Sequence, residues 1–195
     1  MDIRSAVYGA VARTASPAEF ESFVKLYRET EQHEEKTRLL RSMAIVRDPS
    51  LIERALAFIL SDEVRSQDAI GGIVSVASSK VGREMAWSFL KEHEKLLVDR
   101  YTGNLLISRL VSPSFQSLNR SLTPTSLSPC AQVKSTLEDF ASHEKAAEVE
   151  AYFASHKWPG TERSVQQAVE SIRLNADWLS RDQAAIKGYL LEANK

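Results

Sequence analysis

The sequence predicts an all-α fold of stacked antiparallel helix hairpins, and three observations carry this prediction. Glycine (7) and proline (6) are scarce among the 195 residues, which favours long helices over a turn-rich β-sheet protein. Apolar residues recur at helical spacing, as in Phe20, Phe23, Val24 and Tyr27. Predicted helix starts recur near residues 16, 48 and 80, with two helices in each interval of 32 residues.

Capping signals mark these helix starts. Ser16-Pro17 combines an N-cap with proline at the first helical position, and Glu19 completes a capping box. Asp48-Pro49 repeats the combination, and a further helix opens at residues 66–68. Later helices are predicted at residues 81–100, 144–155, 161–178 and 180–193, with Ser180 as the last N-cap.

Two helices in each 32-residue interval are typical of a right-handed α-solenoid of the HEAT or ARM kind, in which stacked hairpins share one core. Gly71-Gly72 lies inside a predicted helix, where each glycine costs roughly 1 kcal/mol relative to alanine. We therefore expect close helix packing there. The core candidates of the predicted 81–100 helix are Met85, Phe89, Leu96 and Leu97. The three tryptophans, Trp87, Trp158 and Trp178, are expected to be core or hairpin-packing residues rather than a ligand-binding cage.

Composition and charge exclude several classes of protein. Lys and Arg (25) nearly balance Asp and Glu (26), so no basic surface indicates nucleic acid or anionic lipid as a partner. No apolar run approaches the roughly 18 residues of a membrane span. The single cysteine, Cys130, excludes an internal disulfide, and the first twelve residues are too polar for a secretory signal. We therefore expect a cytoplasmic location.

The sequence offers no catalytic or metal-binding residues of its own. His-Glu pairs occur at His33, His93 and His143, but a helical zinc site needs a second histidine four residues after the first. The residues at those positions are Thr37, Leu97 and Ala147. A glycine-rich phosphate loop and a Gly-x-Ser-x-Gly motif are also absent from the sequence. We therefore expect neither catalysis nor a cofactor in this chain alone.

Several segments, in order along nearly the whole chain, resemble the C-terminal domain of zinc aminopeptidases of the puromycin-sensitive type. Residues 63–68, Glu-Val-Arg-Ser-Gln-Asp, are similar to an interhelical turn of that family. The other similar segments are 34–38, Gly82-Arg83 with Ala86-Trp87 and Phe89, 106–110, Glu148-Val149 with Tyr152-Phe153, and Arg163 to Leu179.

The resemblance implies a non-catalytic cap that encloses substrate in a metallo-aminopeptidase. In such enzymes a helical bowl faces the catalytic domain and surrounds the body of the peptide. The resemblance therefore implies two partners, a peptide and a catalytic domain in cis, and it places zinc in that domain, which this chain lacks. A free-standing helical scaffold that binds a protein or peptide remains the alternative. An in-frame His-Glu-x-x-His upstream in the genome would favour the first reading.

The leading candidates to face the peptide are Arg65, Gln67 and Asp68, which lie at one predicted turn. Arg65 could pair with a peptide carboxylate or with an acid of the catalytic domain. The alternative is local, because Asp68 near a helix start stabilises that start and Arg65 would be a solvated turn residue. Arg109 and Arg163 are further candidates, with surface ion pairing as the alternative.

Residues 111–132 depart from the family pattern. This tract is rich in serine and proline, lacks acidic residues and contains Cys130. Joining Leu110 directly to Val133 restores the family's spacing, and the tract back-translates like a short intron. A retained intron read in frame is therefore one hypothesis for this irregular insert, and a natural surface loop is the other.

Overall fold

The computed structural model describes residues 3–101 and 136–193, and all regular structure within these two ranges is α-helical. The helices are α1 (Arg4–Arg13), α2 (Pro17–Glu29), α3 (His33–Met43), α4 (Pro49–Leu60), α5 (Ser66–Val76), α6 (Lys80–Glu92), α7 (Glu94–Tyr101), α8 (His143–Ser155) and α9 (Glu162–Ala193). The expected all-α fold class is confirmed.

The recurring helix starts are also confirmed, because α2, α4 and α6 have their N-caps at Ser16, Asp48 and Ser79. The Ser16 hydroxyl accepts from the backbone N–H of Glu19, whose carboxylate accepts from the backbone N–H of Ser16 at 2.7 Å. The Asp48 carboxylate accepts from the backbone N–H of Ser50 at 2.8 Å. Each cap satisfies donors that a helix start leaves without a partner.

The helices pack both with their neighbours in the chain and with the helix two places further on. Neighbouring pairs are α2 with α3, α4 with α5 and α8 with α9. Packing at a separation of two joins α1 to α3, α3 to α5 and α4 to α6. This pattern is the one that stacked hairpins produce. The right-handed HEAT-like or ARM-like solenoid stays a prediction.

One continuous hydrophobic core runs through both described ranges, from Ala12 in α1 to Ile172 in α9. Trp87 and Trp158 are each only 1% exposed, as expected of core residues. The close packing expected at the glycine pair holds for Gly72, where an added Cβ would lie 3.0 Å from the buried Ile59 side chain. At Gly71 an added Cβ would meet nothing within 4 Å.

The structure corrects the expected last helix. Ser180 does not cap a separate helix, since α9 continues through it from Glu162 to Ala193. No proline or glycine lies near Ser180 to interrupt the helix, and a serine within a helix costs little. Trp178 is 51% exposed and therefore does not lie in the core. Trp178 lies at the level where α9 leaves the start of α8. This point is marked by the pair between His143 and Asp177, which are 3.0 Å apart.

The predicted helix over residues 81–100 is divided at His93. Its backbone leaves the helical region there, and its ring stacks on Phe89 with 4.1 Å between ring centres. Among the core candidates of this region, Leu97 is fully buried while Met85 and Phe89 are partly buried against the core. Leu96 is exposed, so its assignment to the core was wrong.

Candidate functional site at the turn between α4 and α5

The turn between α4 and α5 carries three of the residues that the sequence assigned to peptide binding. It begins after Leu60 and ends at Ser66, where α5 starts. Val64 is buried and fixes the middle of the turn to the core. The residues on either side of Val64 therefore have defined positions, and the neighbouring helices hold them further.

Helix α2 holds one side of the turn. The Arg28 guanidinium donates two hydrogen bonds to the Glu63 carboxylate, at 2.7 and 2.8 Å. The neighbouring Tyr27 hydroxyl donates to the Glu63 carbonyl at 3.4 Å. A two-point arginine–carboxylate contact fixes orientation as well as distance.

Helix α7 holds the other side. Arg100 donates to the Leu60 carbonyl at 3.1 Å and to the Asp62 carboxylate at 3.2 Å. The Tyr101 hydroxyl donates to the Ser66 carbonyl at 2.9 Å. Two consecutive residues from each of two helices thus bracket the turn, and its backbone is fixed before any ligand arrives.

Arg65 and Gln67 are both exposed at this turn. Arg65 occupies the N-cap position of α5, and its guanidinium has no hydrogen bond or ion pair with any residue of the described ranges. Asp68, in the first turn of α5, is half-buried and lies 3.8 Å from the His33 imidazole. An acid in the first turn of a helix also stabilises that helix start, so the local role for Asp68 applies alongside any functional one.

The two remaining candidates lie elsewhere. Arg163 is exposed at the second position of α9, whose main packing partner is α8. Arg109 lies outside the described residues, as do Cys130 and the tract 111–132. The structure therefore groups Arg65, Gln67 and Asp68 and leaves Arg163 apart from them.

Sequence patterns did not assign Tyr27 and Lys36 to the candidate site. The Lys36 ammonium of α3 lies 5.1 Å from the centre of the Tyr27 ring. Burial raises the pKa of the Tyr27 hydroxyl, the charges of Asp68 and Glu63 raise it further, and the charge of Arg65 lowers it. No local pattern could reveal this grouping, because Tyr27 and Glu63 are 36 residues apart in the sequence.

A second polar cluster joins α6 and α7 to the C-terminal helices. We call it the indole seam, and it consists of Trp87, Glu94, Glu148, Tyr152 and Trp158. The Trp87 indole donates to the Glu148 carboxylate at 2.7 Å, and the Trp158 indole donates to the Glu94 carboxylate at 3.1 Å. Tyr152 donates to the other oxygen of Glu94 at 2.9 Å.

Every polar group of the seam has a hydrogen-bond partner within it or beside it. Lys91 and Lys145 complete the set by donating to Glu148 at 2.9 and 2.7 Å. Burial raises the pKa of the Glu148 carboxyl, but hydrogen bonds from Lys145, Lys91 and Trp87 outweigh it and hold the pKa at about 2. Burial and the Glu94 carboxylate raise the pKa of Tyr152. The seam therefore joins helices and leaves no group free for a ligand.

Within residues 3–101 and 136–193, no three His, Cys, Asp or Glu side chains come close enough together to hold a metal ion. In the same ranges, no helix is both long and apolar enough to cross a membrane.

Comparison with known proteins identifies the family. The sequence model of the ERAP1-like C-terminal domain matches residues 1–128. The chain is 36% identical over 181 residues to aminopeptidase M1 of Arabidopsis thaliana and 37% identical over 184 residues to aminopeptidase M1-B of Oryza sativa subsp. japonica. It is 25% identical over 190 residues to aminopeptidase 2, mitochondrial, of Saccharomyces cerevisiae.

These alignments cover 91%, 91% and 97% of this chain but 18% of the length of each relative. The resemblance to the C-terminal domain of aminopeptidases, first recognised from short segments, is confirmed. The chain belongs to the ERAP1-like C-terminal domain family.

Proposed function

We propose that this chain is the substrate-enclosing domain of a zinc metallo-aminopeptidase and that it binds the body of a peptide without cleaving it. The support comes from the relatives, which are named aminopeptidases and which this chain matches over only 18% of their own length. The zinc and the catalytic residues would belong to a catalytic domain in cis. The location proposed for the whole protein is cytoplasmic.

The observation that carries the peptide-binding part is the setting of Arg65. A guanidinium presents its donors in a planar fork that matches a carboxylate. Arg65 is exposed on a turn that α2 and α7 hold from both sides, and no acid of the described ranges pairs with it. Because the turn is already ordered, little conformational entropy is lost when a ligand binds. This setting supports Arg65 as the residue that receives a peptide carboxylate.

Peptide binding by the purified chain tests this proposal. We expect a short labelled peptide with a free C-terminal carboxylate to bind more tightly than its C-terminal amide, as measured by fluorescence anisotropy. Arg65→Ala should lower affinity for the acid about 10- to 100-fold, the value of one charge-assisted contact of roughly 1.5–3 kcal/mol. Arg13→Ala, which removes an exposed arginine at the end of α1, is the matched control.

Equal affinities for acid and amide, together with no effect of Arg65→Ala, would remove the carboxylate-binding role. Turnover of an aminoacyl-naphthylamide by the chain alone, abolished by a chelator, would contradict the non-catalytic role. Circular dichroism of each variant verifies that a loss of binding does not come from unfolding.

A further inference from the structure

The second half of α9 carries an exposed apolar stripe. Its members are between 36% and 73% exposed, and they are Trp178, Leu179, Ile186, Tyr189 and Leu190. Their spacing places them on one face of the helix, since Ile186 follows Leu179 by seven residues and precedes the last two by three and four. We call this face the α9 stripe. Exposed apolar patches of several hundred Å² mark interaction sites.

The α9 stripe continues the face of α9 that packs on α8. Ile172 is fully buried on that face, and Leu179 and Ile186 follow it at successive intervals of seven residues. Helix α8 begins at His143, which contacts α9 at Asp177. The apolar face therefore extends beyond the helix that covers its first half.

The size of the α9 stripe is sufficient for a weak dimer. The exposed parts of its five side chains amount to about 500 Å², since one large side chain of this kind buries about 150–250 Å² in full. Two copies of the stripe that cover one another would together bury about 1,000 Å², which is the lower limit for a specific interface.

The charges along the stripe permit a second copy as its partner. Within residues 178–193, Arg181 and Lys187 balance Asp182 and Glu192, so two copies can approach without repulsion. An interfacial helix that binds anionic lipid would carry an excess of Lys and Arg on its polar face. An antiparallel arrangement places the basic part of each copy, which contains Lys187, opposite Glu192 of the other, and a two-fold axis across the helices produces this arrangement.

Helix α1 also exposes apolar residues, namely Ile3, Val7 and Val11. These three side chains expose about half the area of the α9 stripe and include no aromatic ring. The α9 stripe is therefore the better dimer surface, and α1 is the competing surface that an experiment has to separate from it.

We propose that the α9 stripe is a homodimerisation surface, on which the second half of α9 from another copy of this chain packs in antiparallel orientation. Ile186 lies near the middle of residues 178–193 and therefore near the two-fold axis. This proposal goes beyond the proposed function and does not depend on peptide binding. The second half of α9 thus serves assembly of the chain rather than stability of the single domain.

Sedimentation velocity of the purified chain tests the dimer. We expect a monomer–dimer equilibrium with a Kd on the order of 10 µM, so the chain is monomeric at about 1 µM and dimeric at about 200 µM. Ile186→Glu should raise this Kd at least about 10-fold, because it places two carboxylates against each other at the axis. Leu191→Ser is the matched control, since Leu191 is an exposed leucine of the same segment on the opposite side of the helix.

Cross-linking tests the face that makes the contact. In a Cys130→Ser background, Ile186→Cys should form covalent dimers with a short bismaleimide, since the two copies of this residue lie close to the axis. Ala184→Cys should form few, because Ala184 is exposed on the other side of the helix. Circular dichroism of each variant verifies that it is folded.

The proposal has clear contrary outcomes. A chain that stays monomeric up to about 200 µM would overturn it, because the interface would then be weaker than its area implies. A dimer that Ile186→Glu leaves intact, or that Val7→Glu weakens instead, forms through another surface and also overturns it. Equal cross-linking of Ile186→Cys and Ala184→Cys would show random collision rather than a defined interface.

Discussion

At the scale of the residue, Glu148 shows how one carboxylate joins distant parts of the chain. It accepts hydrogen bonds from Trp87 and Lys91 of α6 and from Lys145 of its own helix. A carboxylate with three donors is stabilised in its charged form, which explains its pKa of about 2. Part of the side chain remains exposed, so solvent screens these contacts.

Glu148→Gln should lower the free energy of unfolding by about 1–2 kcal/mol at neutral pH, after allowance for screening. The folded pKa lies below the unfolded one, so the unfolded state binds more protons between them. The contribution is therefore fully present above about pH 5 and is lost as the pH falls towards 2. Urea unfolding of wild type and variant at several pH values measures the difference.

Glu150→Gln is the control, since Glu150 is a more exposed acid of the same helix that pairs with Arg173. It should change stability by less than about 0.5 kcal/mol. A stability difference for Glu148→Gln that stays constant from neutral pH to pH 2 would contradict the role given to its charge.

At the scale of the element, α9 has two different halves. Its first half packs on α8 and buries Val169, Ile172 and Ala176. The Asn175 amide donates to the carbonyls of Glu138 and Phe140 at 2.7 and 3.2 Å. After Ala176 no residue of α9 in the described range is buried. The two halves therefore contribute very differently to stability.

Ending the chain after Leu179 should change the free energy of unfolding by no more than about 0.5 kcal/mol, because none of the described residues that are removed is buried. Ending it after Ser171 should cost about 2–4 kcal/mol, since Ile172 and Ala176 leave the core and the Asn175 contacts are lost. Urea denaturation of both truncations measures the difference. A large loss of stability in the chain that ends after Leu179 would show that the second half of α9 stabilises the domain.

At the scale of the whole molecule, the sequence predicted the features that depend on near neighbours. Caps at Ser16 and Asp48 act within three residues, so their signals can be read from short segments. The same holds for the apolar spacing of α2 and α4. The separate helix expected to start at Ser180 was mispredicted for a related reason. Serine can cap a helix or continue inside it, and no proline beside Ser180 ends the helix there.

Such local patterns could not predict the contacts that shape the candidate site. Arg28 and Glu63 are 35 residues apart, and Tyr101 and Ser66 are also separated by 35. Taken one at a time, these residues are of types that occur in any helix or turn. Family resemblance directed attention to Arg65, but the cation of Lys36 beside Tyr27 follows only from how α2 and α3 pack together.

The tract 111–132 supplies a prediction for the whole chain. Deleting these residues should leave the melting temperature unchanged or slightly raised, because a longer loop costs only about 1 kcal/mol of closure entropy. Differential scanning calorimetry of the shortened chain measures this. A clear fall in melting temperature would show that the tract packs against the domain, and transcripts without splicing at this position would count against a retained intron.

The indole seam has a consequence for the order in which the chain folds. Its two indole contacts span 61 and 64 residues, whereas each early hairpin pairs helices that are adjacent in the chain. Short-range pairs form first, because closing a long loop costs entropy before its contacts repay it. We therefore expect the docking of α8 and α9 onto α6 to be a late step of folding. This docking transfers Trp87 and Trp158 from water into the core, so a change in the intrinsic emission of these two residues should report the arrival of the C-terminal helices.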